Sequence, residues 1–127
     1  MDLQDKVAFI TGGASGLGRA TAENFIKAGA KVMVFDLNAE TAEQAAAELG
    51  ANASFAAGDV ADEDAVRAAV QKTVETFGGL HINVNSAGIG AAARTLGRDG
   101  PMPLKTFEFI VRVNLIGTFN VLRLCAD

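Results

Sequence analysis

The stretch Val7-Ala8-Phe9-Ile10-Thr11-Gly12-Gly13-Ala14-Ser15-Gly16-Leu17-Gly18 decides the fold. Val7 to Ile10 is an apolar run too short for a helix and rich in β-forming residues, which predicts a buried strand. A helical pattern begins at Leu17, with only the glycine turn between them. Strand, tight turn and helix N-terminus in that order bring free backbone N–H groups and the positive end of a helix dipole to one point. Such a point binds phosphate. Gly12 lets the chain leave the strand sharply, Gly16 lets a phosphate-bearing ligand approach the backbone, and Gly18 lets the new helix lie against the sheet. The spacing of Gly13 and Gly18 is also that of a nucleoside-triphosphate P-loop. Arg19-Ala20 stands where that loop needs Lys and then Ser or Thr, which excludes it.

Outward from the turn, strands and helices alternate. Leu17 to Ala28 reads as a first helix ended by Gly29. Lys31-Val32-Met33-Val34-Phe35 is a second strand running into Asp36, and Asn38-Ala39-Glu40-Thr41 opens an alanine-rich helix that Gly50 closes. A third strand near Ala53 to Ala56 leads to Gly58-Asp59-Val60. Asp62, Glu63 and Asp64 then begin a third helix, where negative charge complements the dipole; this accounts for the cluster without a metal or acid–base site. Val66, Val70, Val74 and Phe77 are its expected core stripe. Gly78-Gly79 ends it, and Leu80 to Val84 is a fourth strand carrying the only histidine, His81, a rim residue with no Ser or Cys partner. Gly90 to Pro103 reads as a surface loop. This alternation predicts an α/β fold: one domain over residues 1–127, a Rossmann-type doubly wound parallel sheet, incomplete, with four strands and four helices in the order βαβαβαβα.

Half of the 127 residues are apolar, enough for a packed core and too many for a disordered chain. The net charge of −4 comes with no run of Lys or Arg, so neither nucleic acid nor an acidic membrane is an expected partner. No apolar stretch reaches the length of a membrane span and the start, Met-Asp-Leu-Gln-Asp-Lys, is no signal peptide, which predicts a soluble, cytoplasmic protein. The lone Cys125 has no disulfide partner and falls in a helical apolar pattern, as a packed thiol.

The last helix, from about Leu104 to the end, is apolar around most of its circumference. Phe107, Ile110, Val111, Leu115, Thr118, Val121, Leu122 and Cys125 form one face; Phe109, Val113, Ile116 and Phe119 form much of another. Such a helix is expected to be covered on more than one side, by further chain or by a second copy, which predicts a homo-oligomer formed through residues 104–127. Asn114 within that surface is expected to be buried and hydrogen-bonded.

Five elements in order, Thr11-Gly12-x-x-x-Gly16-x-Gly18, Asp36, Asp59-Val60, Asn85-Ser86-Ala87-Gly88 and Asn114, resemble the short-chain dehydrogenase/reductases. The likeness covers the whole chain, which looks like the N-terminal half of such an enzyme. Residues 12–23 and 117–124, with the inserted loop after Gly88, look most like the type II 3-hydroxyacyl-CoA dehydrogenases. The resemblance implies NAD as cofactor. It places Gly12, Ser15, Gly16, Leu17 and Gly18 at the cofactor's phosphates and ribose, and Asp36 at the adenosine ribose hydroxyls, where its charge disfavours the 2′-phosphate of NADP. It places Asp59 at the adenine amine and Val60 in the adenine pocket. Asn85, Ser86, Ala87 and Gly88 steady the sheet and touch the nicotinamide-side ribose; Ser86 stands where the family has a second Asn. Asn114 corresponds to a helix asparagine of the catalytic site, whose carbonyl holds a water in a proton relay.

The family's catalytic Ser and Tyr-x-x-x-Lys belong to later elements, and the chain has no tyrosine. The expectation is therefore the cofactor-binding half of an NAD-dependent oxidoreductase acting on a small-molecule secondary alcohol such as a hydroxyacyl-CoA, inactive as 127 residues alone. A non-catalytic nucleotide-binding module is the alternative. An S-adenosylmethionine methyltransferase also places an acid after strand two, but it has no need of the Asn-Ser-Ala-Gly after strand four.

Overall fold

In the computed structural model, which describes residues 1–127, every residue of β1 (Val7–Thr11) is buried. It lies between β2 (Lys31–Asp36) and β4 (Ile82–Asn85), and β3 (Ala53–Ala57) extends the sheet beyond β2. All three pairings are parallel, in the order β3-β2-β1-β4. Period-two alternation divides the core in two. Phe9, Met33 and Phe35 pack on one face with Val60, Val66, Val121 and Leu124; Ala8, Ile10, Val32 and Val34 pack on the other with Ala22, Ala42 and Ala45. Helices α1 (Gly16–Lys27) and α2 (Ala39–Leu49) cover the second face, while α3 (Glu63–Phe77) and the last helix cover the first. The α/β doubly wound reading therefore holds.

The strand order sets the site. The chain steps from β1 outward to β3, then returns to β4 on the other side of β1, so the sheet order reverses between β1 and β4. In such sheets the ligand crevice opens at the carboxyl ends of the strands flanking that reversal.

Four local readings are corrected. On α3 the covered positions are Val66, Ala69 and Thr73, whereas Val74 is 45% exposed. Position 74 lies one helical step, about 100°, beyond the stripe. Thr73 is tolerated inside because its hydroxyl donates to the Ala69 carbonyl at 2.8 Å. Strand β4 begins at Ile82, not Leu80, because His81 meets β1 partly through its side chain: Nδ1 accepts from Val7 N at 3.1 Å. Within 90–103 the chain forms a small antiparallel ribbon, β5 (Leu96–Gly97) with β6 (Gly100–Pro101).

The last helix is interrupted, which is the fourth correction. It comprises α4 (Leu104–Val111), a π-helical turn (Arg112–Gly117) and α5 (Thr118–Cys125). A π turn adds a residue to the ring and rotates everything after it. Core contacts therefore fall on Gly117, Asn120, Val121 and Leu124, whereas Leu115 and Leu122 are exposed. Asn114 is exposed rather than buried. The buried amide is Asn120, whose Nδ2 donates to the Val60 carbonyl at 2.8 Å and whose Oδ1 accepts from Arg123 at 2.9 Å. Burial pushes the Cys125 thiol up to about 11, consistent with a packed, unreactive side chain. No helix is long and apolar enough to cross a membrane.

Candidate functional site

A cleft of about 440 Å³ opens where the sheet order predicts, above the ends of β1, β2 and β4. Its size is that of a small-molecule or cofactor site. The glycine turn forms its floor: Gly12, Ser15, Gly16, Leu17 and Gly18 all line it. Gly12 has φ +63° and its Cα faces the backbone of Ala87, so an added methyl would lie 2.9 Å from Ala87 N. Gly16 has φ +55° with nothing within 4 Å of that methyl position, leaving the backbone open for a ligand to approach.

The N-terminus of α1 is the electrostatic feature of the cleft. Helices α2 and α3 are capped by side chains, Asn38 accepting from Thr41 N and Asp62 from Ala65 N, both at 3.0 Å. Ser15 at the start of α1 makes no side-chain cap, and no acidic residue occupies the first turn. The first N–H groups of α1 and its positive dipole end thus meet the cleft without a cap or a carboxylate from the helix itself. No Lys or Arg lines the cleft, so a bound phosphate would be held by backbone N–H and hydroxyl donors.

Two carboxylates also line the cleft. Asp36, at the end of β2, accepts from Ala14 N at 3.1 Å through Oδ2 and from Leu37 N at 2.8 Å through Oδ1. It thereby ties the glycine turn to β2. An ionised carboxylate has about four acceptor positions, so two remain to take ligand hydroxyls. Asp59 Oδ1 accepts from Ala61 N at 2.8 Å, while Oδ2 lies 3.6 Å from the Arg112 guanidinium. Val60, nearly buried, lines the cleft beside it.

After β4, Ser86, Ala87 and Gly88 line the cleft together with Ile89. Asn85 does not: its Nδ2 donates to Asn83 Oδ1 at 2.7 Å, and its own Oδ1 is buried without a partner. Asn114 also stands behind the cleft wall. Its side chain grips the Ile89 backbone, Oδ1 accepting from Ile89 N and Nδ2 donating to Ile89 O, both at 2.8 Å. The Asn114 carbonyl accepts the Thr118 hydroxyl at 2.7 Å.

Sequence reasoning gave no site role to several contributors. Thr11, 1% exposed, accepts from Ser86 N at 3.2 Å and Ala87 N at 3.1 Å through Oγ1, joining the ends of β1 and β4 beneath the cleft. Without the hydroxyl Ser86 N keeps the Thr11 carbonyl at 3.3 Å, but Ala87 N loses its partner, at a cost on the order of 1–3 kcal/mol. Its place at the strand end was the available signal. Leu37 and Phe109 line the cleft as exposed apolar residues, and nothing local in the sequence marks them.

Residues 6–127 match the family model described as short chain dehydrogenase. The chain is 46% identical over 122 residues to the 3-hydroxyacyl-CoA dehydrogenase type-2 of Bos taurus, covering 94% of this chain and 47% of that protein. It is 41% identical to the protein of the same name from Drosophila melanogaster, covering 98% of this chain and 49% of that one. A crystal structure of 3-ketoacyl-(acyl-carrier-protein) reductase from Brucella melitensis complexed with NADH superposes with a TM-score of 0.86 at 40% identity, over 95% of this chain and 49% of that chain. The chain thus spans about half the length of the relatives it matches. With the glycine turn, the reversal of strand order and the cleft in the places such a match requires, the chain belongs to the short chain dehydrogenase family.

Proposed function

We propose that these residues form the cofactor-gripping half of an NAD-dependent oxidoreductase of secondary alcohols, similar in kind to a 3-hydroxyacyl-CoA dehydrogenase and working in the cytoplasm. The observation that carries this reading is the uncapped α1 N-terminus opening onto a cleft that two carboxylates flank. The NADH in the related reductase structure supports the choice of ligand. Backbone N–H groups at Gly16, Leu17 and Gly18, with the Ser15 hydroxyl, hold the pyrophosphate. Asp36 takes the adenosine ribose hydroxyls through its free acceptor positions, and Asp59 takes the adenine amine beside Val60. Ser86, Ala87 and Gly88 border the nicotinamide-side ribose, and Asn85 steadies the end of β4. When bound, the nicotinamide gives or takes hydride.

Asn114 acts from behind: its side chain fixes Ile89, and its carbonyl, which accepts the Thr118 hydroxyl, is the atom assigned to hold the relay water. Removing the alcohol proton requires a positioned base, which contributes about 10² to 10⁴ in rate. The cleft contains no Lys, His or Tyr, and in this reading its two carboxylates serve the adenosine half of the cofactor, away from the reacting carbon. The 127 residues alone are therefore expected to bind NAD without turning over, which is also the behaviour of a non-catalytic nucleotide-binding module. Calorimetric titration with NAD, beside an assay for NADH with a short-chain 3-hydroxyacyl-CoA, tests both parts. Saturable binding lost in Gly16→Val, with no turnover above the no-protein control, is expected. Absent binding would overturn the cofactor reading, and steady turnover lost in Gly16→Val would show that the base has been misplaced.

The same reading includes self-association. Phe107, Leu115, Ile116, Phe119 and Leu122 are exposed along the last helix, and β4 has a strand neighbour on one side only. An apolar surface beside an open sheet edge favours a second copy. Sedimentation velocity should show dimers or larger species that Phe119→Lys weakens; a folded monomer at high concentration would refute it.

A further inference from the structure

We propose that Phe109 is a cofactor-contacting residue, its ring forming the helix-side wall against which the purine base of the nucleotide packs. This rests on the nucleotide reading above and adds a residue that neither the glycine turn nor the two carboxylates imply. Several large apolar side chains of the last helix are exposed, among them Leu104, Phe107, Leu115, Ile116, Phe119 and Leu122, yet none of these lines the cleft. Phe109, 57% exposed, does.

Its neighbours give the position meaning. Phe109 and Val113 stand one helical turn apart and line the cleft together. Next to Val113, Arg112 reaches Asp59 at 3.6 Å, and farther along, Gly117 sits so close to the Val60 side chain that a methyl there would collide with it. The helix is thus held against Asp59 and Val60 by contacts that leave the Phe109 ring uncovered. The only paired aromatic rings in the molecule are Phe9 and Phe35, inside the core, so both faces of Phe109 lack an aromatic partner. Leu37 and Leu17 line the same cleft and are also exposed, 74% and 84%. Exposed apolar surface in a cleft that also holds a carboxylate suits a flat heteroaromatic base bearing an amine. The base gains area from the leucines, quadrupole complementarity from the ring, and a hydrogen-bond acceptor from Asp59.

The test uses ADP-ribose and nicotinamide mononucleotide as separate calorimetric probes on the full chain and on Phe109→Ala, Phe109→Leu and Phe109→Trp. Base–aromatic stacking of the usual strength predicts ADP-ribose binding on the order of tenfold weaker in Phe109→Ala. Phe109→Leu should fall between, Phe109→Trp should restore affinity, and nicotinamide mononucleotide binding should be unchanged throughout. Melting should also be unchanged, because the side chain is exposed. Unaltered ADP-ribose affinity in Phe109→Ala overturns the proposal, as does a loss confined to nicotinamide mononucleotide, or weakened self-association with nucleotide affinity intact. Full affinity in Phe109→Leu overturns the stacking. Failure of the unaltered chain to bind ADP-ribose, or binding untouched by Gly16→Val, overturns the nucleotide reading itself and this inference with it.

Discussion

Replacing Gly18 by alanine is expected to destabilise the fold by about 3 kcal/mol or more, even though alanine is the better helix former. The two effects oppose each other. Helix propensity favours the change by about 1 kcal/mol. Against it, the new methyl would collide with the Gly12 carbonyl oxygen, lie 2.7 Å from the Gly12 carbonyl carbon and 3.2 Å from the Gly13 Cα. These are backbone atoms of the turn, and no side-chain rotation relieves them. Relief requires α1 to lift from β1, uncovering apolar surface and distorting the turn whose N–H groups face the cleft. A loss of about 3 kcal/mol is a large share of a typical domain's stability of about 5–15 kcal/mol, so the variant should unfold at markedly lower denaturant and lose NAD binding. Gly16→Ala is the contrasting control. Its methyl meets nothing within 4 Å, and only the φ of +55° is strained, costing about 1–2 kcal/mol. It should bind NAD poorly while losing less stability than Gly18→Ala. Equal denaturation midpoints for Gly18→Ala and the unaltered chain would show that the helix packs on the turn differently.

Asp36→Ala should shift cofactor preference toward NADP by about tenfold or more. A 2′-phosphate beside the Asp36 carboxylate meets like charge, worth up to about 4 kcal/mol per unit charge at about 4 Å and an effective dielectric of about 20. One third of that is already about tenfold in affinity. The structure adds a second consequence. Because Asp36 also accepts from Ala14 N and Leu37 N, alanine there loosens the turn, so NAD affinity should fall while NADP affinity rises or holds. Asp36→Asn keeps acceptor oxygen without the charge and separates the two effects: it should bind NAD better than Asp36→Ala, yet still lose discrimination. Parallel titrations with both cofactors decide the matter. A ratio of NADP to NAD affinity unchanged by either substitution would remove Asp36 from the ribose site.

The elements legible in the sequence are those whose cause is local. A β-rich apolar run, a glycine turn and an apolar period of 3.6 residues act within about ten neighbours, so β1, α1, β2 and α2 lie where the pattern puts them. Gly16 in the turn was legible for the same reason, whereas Ser15, Asp36 and Asp59 were named by the family resemblance; all four line the cleft. Val74 misled because valines repeating every four residues drift off a stripe that Thr73 actually occupies, its hydroxyl satisfied within the helix.

Residues 7–36 by themselves determined the parallel strand-turn-helix-strand unit and its open helix N-terminus, since backbone geometry there depends on glycines and on short-range burial. Only the tertiary structure decided which residues of the last helix face inward, because the π turn at Arg112–Gly117 rotates α5 relative to α4 and leaves no mark in composition. It placed Asn120 rather than Asn114 in the core, gave Asn114 the Ile89 backbone as partner, and set Phe109 in the cleft wall. Each of those contacts joins residues 25 or more positions apart, or follows from them, and is set by how close packing seats the helix on Val60 rather than by any local preference.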